Sequence, residues 1–162
     1  MNIFDALPVA KGAYVVWLEA NAHSRVTIGR LGTMQLQPGY YAYIGSAMGP
    51  GGIRARLRHH LHIAVRPRWH VDYLRAACDV CELWYGVTED KGEHRWVAAI
   101  ADLPGAMLAM PGFGASDHPG ATHLFRFDAV PSVEAFVTQL WRSSGAGNDS
   151  PEITRVLVPA EM

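Results

Sequence analysis

The chain has 162 residues, 49% of them hydrophobic, and a formal net charge of −1 at pH 7. That length buries one core without a second domain, and so even a charge balance excludes a protein that coats nucleic acid through bulk positive charge. No apolar run reaches the roughly 18 residues of a membrane span, and the first residues lack the basic-then-apolar order of a leader, so a cytoplasmic protein with no membrane contact is expected.

In chain order, AYVVWLE (residues 13–19) is β-branched and aromatic behind a Lys-Gly turn signal and reads as a strand. Val26–Leu31 and Met34–Gln37, joined by Gly32-Thr33, read as a hairpin, and Pro38-Gly39 leads into the strand YYAYIG. Period-2 alternation puts Tyr41 and Tyr43 on one face of that strand, opposite Tyr40, Ala42 and Ile44, and gives Tyr14 a face shared with Val16 and Leu18. Strand tyrosines commonly serve as packing residues with a bonded hydroxyl, so alternation alone assigns them no chemistry.

After Gly49-Pro50-Gly51-Gly52 the pattern turns helical, with Ile53, Leu57, Leu61 and Ala64 as an apolar stripe. Arg56 and His60 fall on its shoulder as i, i+4 neighbours, while His59 and Arg66 point away. From Arg54 to Arg75 six arginines face one acid, Asp72, and the stretch holds four of the eight histidines, against two lysines in the whole chain. Such clustered guanidinium fits phosphate recognition; a solvated helix face is the alternative. Pro67 ends the helix, and WHVDYLRAA (residues 69–77) gives a shorter one with His70 and Asp72 at its start, where an aspartate can simply cap.

The strand Cys78–Thr88 follows, its cysteines three apart and therefore on opposite faces as buried thiols. In the helix Asp90–Ile100, Glu93 falls among the apolar Trp96, Val97 and Ile100. A capping box with Asp90 and an inward-facing, metal-ligating carboxylate fit that position equally. Residues 103–122 form a Gly- and Pro-rich loop, long enough to be functional. It carries Ser116 and, with the next residues, a candidate metal set of Asp117, His118 and His123. His123–Phe127 reads as a strand and Ser132–Trp141 as a helix. Residues 1–142 are expected to form the single domain and residues 143–162 a linker-like tail, with ITRVLV either a loosely attached strand or disordered.

Gly12-Ala13-Tyr14, Tyr43-Ile44-Gly45-Ser46-Ala47, Arg56 with His60, and Glu93, in this order, resemble the GIY-YIG nuclease superfamily. The most similar branch is a set of bacterial and archaeal domains with GYYAYIGSA, WHxDYL and GFGxSD…HLF motifs, and the resemblance covers about residues 11–127. It implies an α/β (α+β) domain with a small central antiparallel sheet flanked by helices. The 28 residues between Tyr14 and Tyr43 leave room for an extra hairpin.

The resemblance further implies divalent-metal-dependent, endonuclease-like hydrolysis of phosphodiesters, on DNA rather than RNA, in repair or processing. Tyr14 would be the base, Tyr43 would orient water or metal, Arg56 would stabilise phosphoryl charge, His60 would assist, and Glu93 would hold one Mg2+ or Mn2+. Ser46, Arg54, Arg58, His70 and Asp72 would contact substrate. The chemistry is coherent: hydrolysis needs an activated water and stabilised oxyanions, and a lone carboxylate serves magnesium, which keeps most of its waters. Two other readings stand beside it: a non-catalytic nucleic-acid-binding module on the same fold, and a histidine-based metal-binding protein.

Overall fold

A strand buried on both faces reads as an almost continuous apolar run, and GAYVVWLEA is one: it forms β1 (Gly12–Ala20), the most enclosed strand of the computed structural model. That structure describes residues 2–90, 92–115, 120–143 and 152–160. β1 pairs antiparallel with β4 (Gly39–Ala47) on one side and β5 (Asp79–Val87) on the other. With β6 (Met107–Leu108), β7 (Leu124–Phe127) and β8 (Thr154–Leu157) they make a six-stranded antiparallel sheet in the order β6-β7-β4-β1-β5-β8. The hairpin between the two tyrosine motifs is present as a separate two-stranded sheet, β2 (Ser24–Ile28) with β3 (Gly32–Leu36).

Alternation sorts the side chains as expected. Tyr14, Val16, Leu18, Tyr41 and Tyr43 share one core with Ile53 and Leu57 of α2 (Gly52–Leu61), Val71 and Leu74 of α3 (His70–Arg75), and the hairpin residues Ile28, Met34 and Leu36. Ala13, Val15, Trp17, Ala42 and Ile44 share the other with Trp96 and Ile100 of α4 (Glu93–Ala101) and Phe136 and Leu140 of α5 (Val133–Ser143). Removing Trp17 or Trp84, both fully buried, would cost about 3–5 kcal/mol on the scale of large aromatic truncations. Cys78 belongs to the first core and Cys81 packs against the second; both are free thiols.

Several boundaries differ from the sequence reading; in the hairpin, Gly32 and Thr33 belong to β3 and the turn falls at residues 29–31. α2 stops at Leu61, leaving Ala64 outside, because His62 turns to extended dihedrals and the Leu61 carbonyl accepts from the buried Arg75 guanidinium. α4 begins at Glu93 with Gly92 as its cap residue, so the capping-box spacing from Asp90 does not apply. Of the two readings open for ITRVLV, the strand is present: β8 pairs with β5 from Glu82↔Leu157 to Tyr85↔Thr154. Among the described residues no helix is long and apolar enough to cross a membrane.

The first turn of α2 is held by backbone hydrogen bonds. The amides of Ile53 and Arg54 donate to the carbonyls of Ala10 and Pro8, and those of Gly52 and Ala55 to Gly49 and Gly51. Gly52 has φ +56, and a Cβ there would stand 2.3 Å from the Ala10 oxygen. The first turn of α2 therefore has its donors spoken for, and the arginines beyond it, rather than the helix end, are left to meet an anion.

Candidate active site

Tyr14 enters from β1, fully buried, and lies across β4 at its register partner Gly45. A Cβ at Gly45 would come within 2.4 Å of the Tyr14 hydroxyl oxygen, so the glycine is what lets the phenol cross the neighbouring strand. Its hydroxyl meets His60 Nε2 at 2.8 Å. The Tyr14 and Tyr43 rings stand 6.5 Å apart, and both pack on His60, at 5.4 and 5.7 Å.

Burial, with a smaller effect from the neighbouring His59 and Arg56 charges, holds the His60 pKa down at about 3, so the imidazole is neutral. Its Nδ1 is buried without a hydrogen-bond partner. Either the Tyr14 O–H donates to Nε2 or an Nε2–H donates to the Tyr14 oxygen, the choice following the His60 tautomer. Burial, and then the nearby Tyr43, push the Tyr14 pKa well above 10, while the Arg56 charge opposes the rise. Burial raises Tyr43 to about 12, again against the pull of Arg56 and with the help of Glu93. Both phenols are thus protonated acids under a guanidinium that favours their anions.

Arg56 is held in turn by an aromatic face: its Cζ sits 4.5 Å from the Trp69 ring centroid. Trp69 precedes α3, and its amide and that of Arg68 donate to Asp72 Oδ2 at 3.1 and 2.8 Å. Asp72 Oδ1 takes His59 Nε2 at 2.9 Å. Burial alone would raise the Asp72 pKa; the two amides and His59 outweigh it and hold the group below the usual carboxylate range. Asp72 is therefore an ionised, three-fold-bonded anchor for the segment that carries Trp69.

These residues border a cavity of ≈ 360 Å³ that gathers Tyr14, Tyr43, Ser46, Arg56, Trp69, Glu93 and His123 around the glycines Gly45, Gly49 and Gly114. Of the sequence candidates, Tyr14, Tyr43, Ser46, Arg56, Glu93 and His123 meet on this one space, with His60 behind Tyr14. Arg54, Arg58 and His70 do not line it. Arg54 donates to the carbonyls of Leu7 and Asp5, and Arg58 stacks on Phe4 at 4.9 Å. Arg75 is buried and bonds the carbonyls of Leu61 and Cys78. His70 Nδ1 accepts from the Gly114 amide at 2.8 Å, and His123 Nδ1–H donates to the Ile44 carbonyl at 3.2 Å. Asp117, His118 and Ser116 fall outside the described residues.

Trp69 and Gly45 were not among the sequence candidates. Tryptophan next to arginine-rich helix was the available signal for the first, and the register of Gly45 against Tyr14 for the second. Nor was the trio His59, His60 and Asp72, whose donor atoms lie within 4.8 Å of one another, close enough to hold a metal ion. A metal there would have to displace the His59–Asp72 bond, beside the Arg56 charge. Glu93 presents a half-buried carboxylate to the polar cavity, a donor type that could hold a hard cation.

Fold and site together define a mixed α+β domain with a polar cavity built on two tyrosines, an arginine and a carboxylate. The chain belongs to the family described as "Domain of unknown function DUF123", whose model matches residues 13–146. No curated protein and no solved structure matches it.

Proposed function

We propose that the protein is a divalent-metal-dependent nuclease that hydrolyses DNA phosphodiesters in repair or processing, the activity its motifs imply through their resemblance to GIY-YIG nucleases. The supporting observation is the convergence of Tyr14, Tyr43, Arg56 and Glu93 on one cavity. On this reading the Arg56 fork binds the phosphoryl oxygens and stabilises the charge that grows there as the bond to water forms. The ionised form of Tyr14, which the Arg56 charge favours, takes the proton of the attacking water as the bond from phosphorus to the ester oxygen breaks and that oxygen leaves to be protonated by solvent. Tyr43 positions that water from the adjacent strand. Glu93 holds the cation, which when bound supplies Lewis-acid charge stabilisation and acidifies a coordinated water.

Raised phenol pKa values carry a kinetic signature. With a base ionising above the assay pH, the rate rises about tenfold per pH unit through the neutral and mildly alkaline range. The test is to incubate the protein with branched, nicked and single-stranded DNA plus magnesium or manganese. Cleavage is expected, and Arg56→Ala and Glu93→Gln should each lower it by about 10²-fold or more, the scale of losing one stabiliser of transition-state charge. No cleavage, or cleavage indifferent to both substitutions, would overturn the reading. Retained salt-sensitive DNA binding without cleavage would leave a binding module instead.

A further inference from the structure

Two guanidinium groups share the Trp69 ring. Arg56 Cζ lies 4.5 Å and Arg68 Cζ 5.2 Å from the same centroid. Arg68 also lines a cavity of ≈ 160 Å³ with Tyr43, Trp69, His70 and Gly114, and Tyr43, Trp69 and Gly114 are walls of the larger cavity too. The two spaces are therefore neighbours along one groove, with one arginine bordering each. Both Arg68 and Trp69 are anchored through their amides to the buried Asp72, and among the described residues no carboxylate pairs with the Arg68 guanidinium. A stacked arginine keeps its fork available for bidentate bonds to an anion.

We infer that Arg68 is a second phosphate-binding residue, and that Trp69 sets it and Arg56 at a separation that consecutive phosphates of one nucleic acid strand can span. The inference rests on the nuclease reading and adds to it the direction of the strand's path: from Arg56 at the reacting phosphate, past Tyr43, to Arg68 at a flanking one. His70 lies beside the Arg68 end of the groove. Trp69 is a positioning residue here, since its role is to fix the two cations rather than to touch the reacting atoms.

The test measures equilibrium binding of a fluorescently labelled single-stranded oligodeoxynucleotide to the intact protein, with chelator present so that no cleavage occurs, over a range of salt concentrations. Removing one phosphate contact on a single strand should reduce the slope of log affinity against log salt by about 0.7. Arg68→Ala is expected to show that drop, with affinity several-fold weaker whatever the base sequence. Arg68→Lys, which keeps the charge, should keep the slope. Arg142→Ala, an exposed arginine on α5 with the same change in net charge, should leave it as in the wild type. An unchanged slope in Arg68→Ala, or an equal drop in Arg142→Ala, would overturn the inference while leaving the nuclease reading intact. A wild-type protein that binds no oligonucleotide at all removes the reading on which it stands.

Discussion

Gly45 does its work by lacking a side chain. Its register partner Tyr14 runs across it, and the missing methyl is the space the phenol occupies. Gly45→Ala should therefore act twice: destabilisation of about 1–3 kcal/mol from overpacking, read by denaturant unfolding, and cleavage lowered by about tenfold or more as the hydroxyl shifts from His60, since small displacements of positioned groups are costly. A protein as stable and active as the wild type would show that the strand yields instead. At this scale alternation and the helical wheel indicated which face Tyr14, Tyr43, Arg56, His60 and Glu93 take, and that is the part of the site the sequence made legible. The sequence did not show why Gly45 is glycine, nor Asp72 and Trp69 as supports for Arg56, because those facts depend on register and on contacts between segments far apart in the chain.

Strands and helices were legible where burial imposes a period. The two faces of β1 and β4 came from alternation, and α2 from the spacing of Ile53, Leu57 and Leu61. β8 could not be read as part of the sheet, since its four residues carry little pattern and its partner β5 lies some seventy positions earlier. Besides its ladder to β5, an ion pair fastens it: Arg155 reaches the buried Glu82 through Nε at 2.6 Å and Nη2 at 3.2 Å, and the Trp84 indole N–H donates to the same carboxylate. Arg155→Ala leaves that carboxylate with the indole alone, so a loss of about 1–3 kcal/mol is expected. Urea titration measures it, and a change below a few tenths would mean that the pair behaves as an ordinary surface bridge.

At the level of the whole molecule, ionisation frames the range of pH over which the fold holds. His60 titrates at about 3 in the fold instead of 6.5, so between those values the unfolded chain takes up a proton that the folded one refuses, and stability declines as pH falls, by at most about 1.4 kcal/mol per unit from this group. Asp72, held below the usual carboxylate range, contributes stability that disappears as pH drops further, through its folded value. Tyr43, at about 12 instead of 10, acts at the other end: above 10 the unfolded chain ionises first and stability falls as pH rises. Unfolding midpoints should thus form a plateau between these limits, and His60→Gln should make the acid limb shallower; an unaltered limb would remove His60 from its cause. The segment before β1 has a bearing on all of this. The family match starts at residue 13, yet the carbonyls that receive the first amides of α2 belong to Pro8 and Ala10, so the inherited unit and the mechanical unit have different edges. A chain cut at the inherited edge would uncover those amides, and a phosphate would then find a rival seat at the helix tip, a turn away from Arg56 and out of line with the tyrosines.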